Sequence, residues 1–315
     1  MVALSWRTDL TADEVAQVRA LLDAVTDVDS VAPVSEAFLL RLRADGRGGS
    51  SGGSSGASSG PLSGAEHLLA HDDGVLVGYA QLDGGEEPDG ELAVHPEHRR
   101  CGIGGGLLAE LLEHLAGGPL RLWAHGEHIG AIALAERYGL IRDRVLLQLR
   151  RELDRPPLDD AVFPDGVTIR PFVPGRDEPA VVEVNAKAFA WHPEQGRWTV
   201  DDVLVREEEP WFDPAGFLIA AWQAPGQEAE QLVGFHWTKV HDAAAGRGEV
   251  YVLAVDPAHH GLGLGTALTL AGLHHLRDTG MRTVTLYVEA DNEAAIRTYQ
   301  RLGFTHWDTD VRYSR

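Results

Sequence analysis

The chain carries one block of sequence twice, and this internal repeat constrains the fold more than any other feature. The segment Glu91-Leu92-Ala93-Val94-His95-Pro96 leads into Gly102-x-Gly104, and the segment 249–257 leads into Gly263-x-Gly265. In both copies the first glycine follows a strand-like valine by eight residues, and the two copies lie 161 residues apart. An apolar helical run, a strand-like run and a second helix follow each copy. The sequence therefore predicts a tandem duplication.

The repeat and the length of 315 residues together predict two domains. We expect a first domain over 1–153, a proline-rich and charged linker over 154–166, and a second domain over 167–315. Residues 46–64 are almost entirely glycine and serine, which indicates a flexible surface insertion in the first domain. Each repeat reads as strand, two helices, three strands, helix, strand, helix, strand. This order predicts an α/β fold of the α+β type.

Composition narrows the range of partners. The formal net charge of −21 opposes nucleic-acid binding, because phosphates would be repelled over most of the surface. The single cysteine, Cys101, excludes an intrachain disulfide and is typical of a reducing compartment. No apolar stretch approaches the roughly 20 residues that span a bilayer, and the first residues lack the apolar region of a signal peptide. We therefore expect a cytoplasmic protein with neither a nucleic-acid nor a membrane partner.

The glycine turn of each repeat is suited to holding a phosphate-bearing ligand. The first turn of a helix leaves backbone N–H groups without partners, and the helix dipole favours negative charge there. A Rossmann fingerprint would need a third glycine where the two copies have Leu107 and Leu268. A Walker loop would need Gly-Lys-Ser/Thr after the turn, which is absent. None of the 15 histidines stands in a recognisable zinc-ligand pattern, so no metal cofactor is predicted.

The turn Arg99-x-x-Gly102-x-Gly104 resembles the acetyl-CoA signature of the GNAT N-acetyltransferases. The second copy departs from that signature only by His260, where arginine or glutamine is usual. It also carries the later block Leu286-Tyr287-Val288-x-x-x-Asn292-x-x-Ala295-x-x-x-Tyr299-x-x-x-Gly303-Phe304. The resemblance implies two tandem GNAT acyltransferase domains, each a mixed and mainly antiparallel sheet flanked by helices, and acetyl-CoA as the acetyl donor.

The same resemblance implies acetyl-CoA contacts in both repeats. In the second repeat they are Leu253, Ala254, Val255, His260, Gly261, Leu262, Gly263, Leu264, Gly265, Thr266, Asn292, Glu293, Ala294, Ala295, Ile296 and Arg297. In the first repeat they are Leu92, Ala93, Val94, Arg100, Cys101, Gly102, Ile103, Gly104 and Gly105. Backbone N–H groups of the strand at 253–255 are expected to polarise the thioester carbonyl.

The two copies differ at the positions that carry the chemistry. In the GNAT pattern a tyrosine four residues before the terminal glycine protonates the leaving thiolate, and in the second repeat this is Tyr299. Counted back from Gly139, the first repeat has Ala135 there, and it has His128 at the position of Asn292. We therefore expect the second domain to catalyse, while the first is degenerate and either binds CoA idly or serves as a scaffold.

Glu249 is the candidate for the general base, and two interpretations of its role stay open. Strict alternation along a strand would place its side chain on the face of Tyr251 and Leu253. From there it could accept the proton of the acceptor amine, through water if need be. Alternatively, its carboxylate binds the ligand and merely attracts a cationic amine.

Further motifs resemble the mycothiol synthase family of tandem GNAT enzymes. They are His192-Pro193-Glu194-Gln195-Gly196, Trp211-Phe212-Asp213-Pro214, Gly234-Phe235-His236-Trp237-Thr238-Lys239-Val240-His241 and Tyr287-Val288-Glu289-x-Asp291-Asn292. The resemblance implies a small-molecule substrate, cysteinyl-glucosaminyl-inositol, whose cysteinyl amine the enzyme acetylates. We expect the protein to act as a monomer. The implied substrate contacts are Glu36, Glu194, Lys239, Glu249 and Tyr287. Two alternatives stay open: another acceptor, such as an aminoglycoside, a small amine or a protein N-terminus, or an acyl-CoA sensor without catalysis.

Overall fold

The computed structural model describes residues 2–47, 64–85, 87–191, 195–223, 226 and 230–315. The predicted insertion over 46–64 lies almost entirely outside this part of the chain. Packing divides the chain into a first unit, Met1–Leu146 with Asp308–Arg315, and a second unit, Leu147–Trp307. The last eight residues therefore belong to the first unit, and the segment 147–153 to the second. The boundaries at 153 and 166 stay predictions from the sequence.

The first unit contains an antiparallel meander extended by a parallel strand. Its elements are β1 (Ala3–Arg7), α1 (Ala12–Asp29), α2 (Glu36–Arg47), β2 (Glu66–Asp72), β3 (Val75–Leu82), β4 (Asp89–Val94), α3 (Ile103–His114), β5 (Arg121–Ala124), α4 (Ile129–Tyr138) and the start of β6 (Ile141–Glu152). Strands β1 to β4 pair antiparallel in chain order, and β5 joins β4 in parallel. Residues 311–314 of the chain then pair antiparallel with β5.

The second unit repeats this arrangement. Its elements are β7 (Val167–Pro171), α5 (Glu178–Ala188), α6 (Val200–Glu207), β8 (Phe217–Trp222), β9 (Gln231–Asp242), β10 (Arg247–Val255), α7 (Leu264–Asp278), β11 (Thr283–Glu289), α8 (Glu293–Arg301) and the start of β12 (Thr305–Ser314). Strands β7 to β10 pair antiparallel in chain order, and β11 joins β10 in parallel. The predicted element order and the mixed, mainly antiparallel sheet flanked by helices are confirmed.

Each sheet is buried on both faces, because helices pack on either side of it. In the second unit, α5 covers Phe217, Phe235 and Trp237 on one face. On the other face, α7 packs its leucines against Val250 and Leu286. Apolar residues on both faces explain why these strands read as nearly continuous hydrophobic runs. Among the described residues, no helix is long and apolar enough to span a membrane.

Candidate active site

A parallel strand pair in each unit separates part of the way along its length. The pairing of β10 with β11 ends at Glu249 opposite Thr285, although β10 continues to Val255 and β11 to Glu289. In the first unit the pairing of β4 with β5 ends at Gly90 opposite Leu122. Beyond these points the two strands diverge and leave an opening between them. An extended ligand can bind along such a strand edge as an added strand would.

The glycine turn lies directly beyond the end of β10. Gly261 and Gly263 both have φ of 79°, a conformation that is strained for a residue with a side chain, and Gly263 is the N-cap of α7. No side chain caps α7, so the N–H groups at Leu264, Gly265 and Thr266 face the turn without a capping partner. This is the structure of an anion-binding helix N-terminus.

The first unit repeats this turn with an arginine in place of its first glycine. Gly102 has φ of 86° at the start of α3, again without a side-chain cap. Arg100, with φ of 64°, takes the left-handed conformation that belongs to Gly261 in the second unit. Cys101 is exposed, and its thiol donates to the carbonyl oxygen of Arg99 at 3.5 Å.

The replacement of arginine by His260 preserves one contact of the turn. In the first unit, Nε of Arg99 donates to the carbonyl oxygen of Val94 at 3.3 Å. In the second unit, Nε2 of His260 donates to the carbonyl oxygen of Val255 at 3.1 Å. Both side chains thus tie the turn to the last residue of the preceding strand. The departure from the family signature therefore leaves the shape of the turn intact.

Helix α8 carries the residues of the later sequence block. The side chain of Asn292 caps α8 by accepting from the N–H of Ala295 at 3.1 Å, as His128 caps α4 by accepting from Gly130 at 3.1 Å. When the two helices are compared from their caps, Ala135 in α4 corresponds to Tyr299 in α8, since each lies seven residues after its cap. Asn292 thus acts first as a helix cap, and its side-chain oxygen is committed to the backbone.

Tyr299 is half-buried, and its ring packs edge-on against Phe304 with ring centres 5.6 Å apart. Burial raises the pKa of the Tyr299 hydroxyl to about 12, because the phenolate would lose its hydration. The hydroxyl therefore stays protonated throughout the physiological pH range. It can donate a hydrogen bond to an anion that forms beside it.

A β-bulge changes the face on which Glu249 lies. Val250 is opposite Thr238 and Val252 is opposite Trp237, so Tyr251 is an extra residue in β10. As a result, Val250 and Leu253 pack on the α7 side, whereas Tyr251 and Val252 pack with Trp237. Glu249, opposite Lys239, lies on the Trp237 side. The expectation that Glu249 shares a face with Leu253 is therefore wrong, although it does share one with Tyr251.

Glu249 is the centre of a polar cluster on that face. Nε2 of His241 is hydrogen-bonded to Oε2 of Glu249. The ammonium of Lys239 lies 4.6 Å from the ring centre of Trp211 and 5.1 Å from that of Tyr251. Nε of Arg206, on α6, donates to the hydroxyl of Tyr251 at 2.7 Å. We refer to Arg206, Lys239, His241, Glu249 and Tyr251 as the Glu249 cluster.

Sequence reasoning assigned roles to only Lys239 and Glu249 in this cluster. His241 and Tyr251 stand inside the quoted motifs, but their contacts depend on strand register. A second shift in register, between Arg247 opposite Asp242 and Gly248 opposite Val240, leaves His241 as an extra residue in β9. No pattern in the sequence marks that shift. Arg206 lies on the amphipathic helix α6, and its sequence context does not distinguish it from an ordinary exposed arginine.

The remaining predicted contacts are distributed as follows. Tyr287 is exposed on β11, two residues beyond the end of the parallel pairing. Glu36 is the first residue of α2, in the first unit. Glu194 lies outside the described residues. Within the described part of the chain, no group of three or more His, Cys, Asp or Glu side chains is arranged to hold a metal ion.

The first unit differs from the second at the positions of this chemistry. The register of β3 and β4 runs without a shift from Gly78 to Leu82, so the first unit has no counterpart of the bulge at Tyr251. Asp89 is opposite Arg121, as Glu249 is opposite Thr285. Arg121 forms an ion pair with Asp89 at 3.0 Å. The carboxylate at this position is therefore already neutralised within the protein.

The split strand pair followed by a glycine turn defines an acyltransferase of the GNAT class. A model described as the acetyltransferase (GNAT) family matches residues 185–304, and one described as an acetyltransferase (GNAT) domain matches residues 63–139. A mycothiol acetyltransferase of Thermomonospora curvata is 50% identical over 314 residues, 99% of this chain and 97% of the relative. One of Actinosynnema mirum is 50% identical over 324 residues, covering 100% of both chains. The chain belongs to the mycothiol acetyltransferase family of tandem GNAT proteins.

Solved structures agree with the tandem architecture. A tandem GNAT protein from the clavulanic acid biosynthesis pathway matches with a TM-score of 0.73 at 21% identity, covering 99% of this chain and 98% of that one. A GCN5-related N-acetyltransferase from Sphaerobacter thermophilus matches with a TM-score of 0.66 at 23% identity, covering 99% and 95%. At these identities the likeness shows the fold alone. GNAT acetyltransferases use acyl-CoA, so the chain is an acyl-CoA-dependent acyltransferase that acts on a small-molecule substrate.

Proposed function

We propose that the protein transfers the acetyl group of acetyl-CoA to the cysteinyl amine of cysteinyl-glucosaminyl-inositol, which gives mycothiol. The observation that carries this proposal is identity of about half over the full chain with relatives named mycothiol acetyltransferase. The Glu249 cluster beside the opening of β10 and β11 supports a reaction there. The protein acts as a cytoplasmic monomer with neither a nucleic-acid nor a membrane partner.

The donor binds at the glycine turn and along β10. The N–H groups at the start of α7 hold the pyrophosphate of acetyl-CoA, because this helix end has no side-chain cap. The pantetheine arm lies in the opening where β10 leaves β11. Backbone N–H groups of Leu253, Ala254 and Val255 then polarise the thioester carbonyl and stabilise the oxyanion.

The acceptor binds at the Glu249 cluster. Its cysteinyl ammonium is attracted to the carboxylate of Glu249, while Lys239 and Tyr287 contact its sugar and inositol hydroxyls. The family resemblance assigns Glu36 and Glu194 to the same acceptor. Glu249 removes a proton from the ammonium, and the free amine attacks the thioester carbon directly. Of the two readings of Glu249, its buried position and its hydrogen bond to His241 favour the base.

Tyr299 completes the reaction as the C–S bond breaks. Its hydroxyl donates a proton to the departing CoA sulfur, for which it must be protonated, as a pKa of about 12 ensures. The first unit has alanine at this position and an ion-paired Asp89 at that of Glu249. These differences support the proposal that the first unit does not catalyse. It serves instead as a scaffold or binds CoA without turnover.

Mass spectrometry tests the proposed function directly. Purified protein, acetyl-CoA and cysteinyl-glucosaminyl-inositol should yield a product heavier by one acetyl group, which fragmentation places on the cysteinyl nitrogen. A thiol-release assay is a poorer choice because the acceptor carries its own thiol. An untouched acceptor, with acetyl-CoA still bound, would reject this substrate and leave another amine or an acyl-CoA sensor as the function.

A further inference from the structure

The proposed reaction must dispose of one proton from a buried position. The acceptor nitrogen carries three protons as an ammonium and one in the amide product, so it loses two. An N–C bond forms, the C–S bond breaks, Tyr299 protonates the CoA sulfur, and one of the two amine protons restores the Tyr299 hydroxyl. The other is released. If Glu249 takes that proton, the protein needs a path from Glu249 to water.

Glu249 itself is poorly placed to release a proton. Its side chain is only 8% exposed, and it lies on β10 between β9 and β11. Lys239 is directly opposite it in β9, and Arg247 precedes it by two residues in β10. Both are cations whose side chains offer no acceptor site for a proton.

His241 is the neighbour that can accept this proton. Its Nε2 is hydrogen-bonded to Oε2 of Glu249, while its side chain is 40% exposed. In neutral imidazole one ring nitrogen carries a proton and the other can accept one. With the proton on Nδ1, Nε2 can take the proton of the Glu249 carboxyl group while Nδ1 releases its own to solvent. The register shift at His241 is what places an exposed histidine against a buried carboxylate, since bulges re-aim side chains.

We propose that His241 is the second member of a proton relay, in which Glu249 takes the proton of the acceptor amine and His241 passes it to water. This inference rests on the proposed function and adds a residue to it. His241 does not touch the reacting atoms but acts through Glu249. A purely structural histidine would stabilise the pairing of β9 and β10 without affecting proton transfer.

Four variants of the full-length protein test the relay. His241→Gln keeps a side-chain N–H that can donate to Glu249 but removes proton transfer. Glu249→Gln removes the base, and the double variant removes both. His306→Gln is the matched control, because His306 is an exposed histidine of β12 in the same unit and outside the Glu249 cluster. Acetyl transfer to the cysteinyl acceptor is followed for each as kcat and as KM for both substrates.

We expect His241→Gln to lower kcat at least about tenfold while leaving both KM values within about twofold, as befits a lost general-base step. The double variant should be no slower than Glu249→Gln, because the relay acts through Glu249. Added imidazole should restore turnover to the His241→Gln protein in proportion to its free-base concentration. It should do nothing for wild type, His306→Gln or Glu249→Gln. Reactions without the cysteinyl acceptor correct for acetylation of imidazole itself.

The outcomes separate the relay from the proposed function. Wild-type kcat in His241→Gln, or a lowered kcat that imidazole does not restore, would overturn the relay. If Glu249→Gln also retains wild-type kcat, the base assignment fails with it. If wild type does not acetylate the cysteinyl amine, the proposed acceptor is wrong. The ratio of variant to wild-type kcat, measured with an amine that wild type does accept, then decides the relay.

Discussion

At the scale of single residues, one substitution within the repeat separates a reactive position from an inert one. Tyr299 and Ala135 occupy equivalent positions in α8 and α4, counted from the caps Asn292 and His128. The sequence count back from the terminal glycine predicts this equivalence, because helix length between cap and glycine is the same in both copies. What the count does not predict is the environment of the hydroxyl, which depends on packing against Phe304.

Tyr299→Phe should lower kcat about 10²-fold or more, because the departing thiolate loses its proton donor. The KM for acetyl-CoA should be nearly unchanged, since the ring and its packing remain. Steady-state kinetics with a mass-spectrometric readout measures both. Full turnover in this variant would remove Tyr299 from the proposed role, and a matching fall in acetyl-CoA affinity would reassign it to binding.

His125, in the first unit, gives a prediction for stability against pH. It lies between Glu91 and Asp310, with Nε2 and Nδ1 each 3.1 Å from a carboxylate oxygen. Burial opposes its charged form, but the two carboxylates outweigh burial and raise the pKa of His125 to about 10. Because the folded pKa lies above the unfolded value of about 6.5, this stabilisation is complete below pH 6.5 and is lost as pH rises towards 10.

Urea denaturation at several pH values checks this expectation. The free energy of unfolding of wild type should exceed that of His125→Gln most at about pH 6.5 and converge on it near pH 10. The difference between the two proteins isolates His125 from the other groups that titrate in this interval. A difference that stays constant over the interval would show that the cluster does not hold a charged histidine.

At the scale of elements, close approach between a helix and the sheet decides which glycines are required. A Cβ on Gly272 of α7 would lie 2.1 Å from the imidazole of His236, which is buried on β9 and hydrogen-bonded through Nδ1 to the carbonyl oxygen of Leu268 at 2.8 Å. Burial lowers the pKa of His236 to about 4, so this ring stays neutral at physiological pH. A Cβ on Gly106 of α3 would meet nothing within 4 Å.

Gly272→Ala and Gly106→Ala should therefore have opposite effects on thermal stability. Alanine is favoured over glycine inside a helix by about 1 kcal/mol, so Gly106→Ala should raise the midpoint of unfolding. In Gly272→Ala the overlap with His236 should outweigh that gain and destabilise the protein by about 1–3 kcal/mol. Equal shifts in both variants would contradict the close packing of α7 on β9.

At the scale of the whole molecule, the repeat provides two matched glycine turns of which one is proposed to serve catalysis. Gly102 and Gly263 have φ of 86° and 79° and begin equivalent helices. A Cβ on either glycine would meet no atom within 4 Å, so alanine would strain both turns by similar amounts through the backbone alone. Any difference between the two variants in catalysis therefore reports which turn the reaction uses.

Gly263→Ala should raise the KM for acetyl-CoA about tenfold, because the strained turn moves the N–H groups that hold the pyrophosphate. Gly102→Ala should leave that KM unchanged. Thermal unfolding of both variants serves as the control that the structural costs are comparable. Equal increases in KM would indicate that both units take part in turnover, contrary to a degenerate first unit.

The sequence by itself determined the duplication, the order of elements, the two glycine turns and the contrast between Tyr299 and Ala135, because these follow from local spacing and helical periodicity. Only the tertiary structure decided which face of β10 carries Glu249 and that His241 contacts it, since both depend on the two register shifts between β9 and β10. It also assigned residues 308–315 to the first unit. Where an extra residue bulges out of a strand pair is decided by packing across the sheet, which the local sequence pattern does not mark.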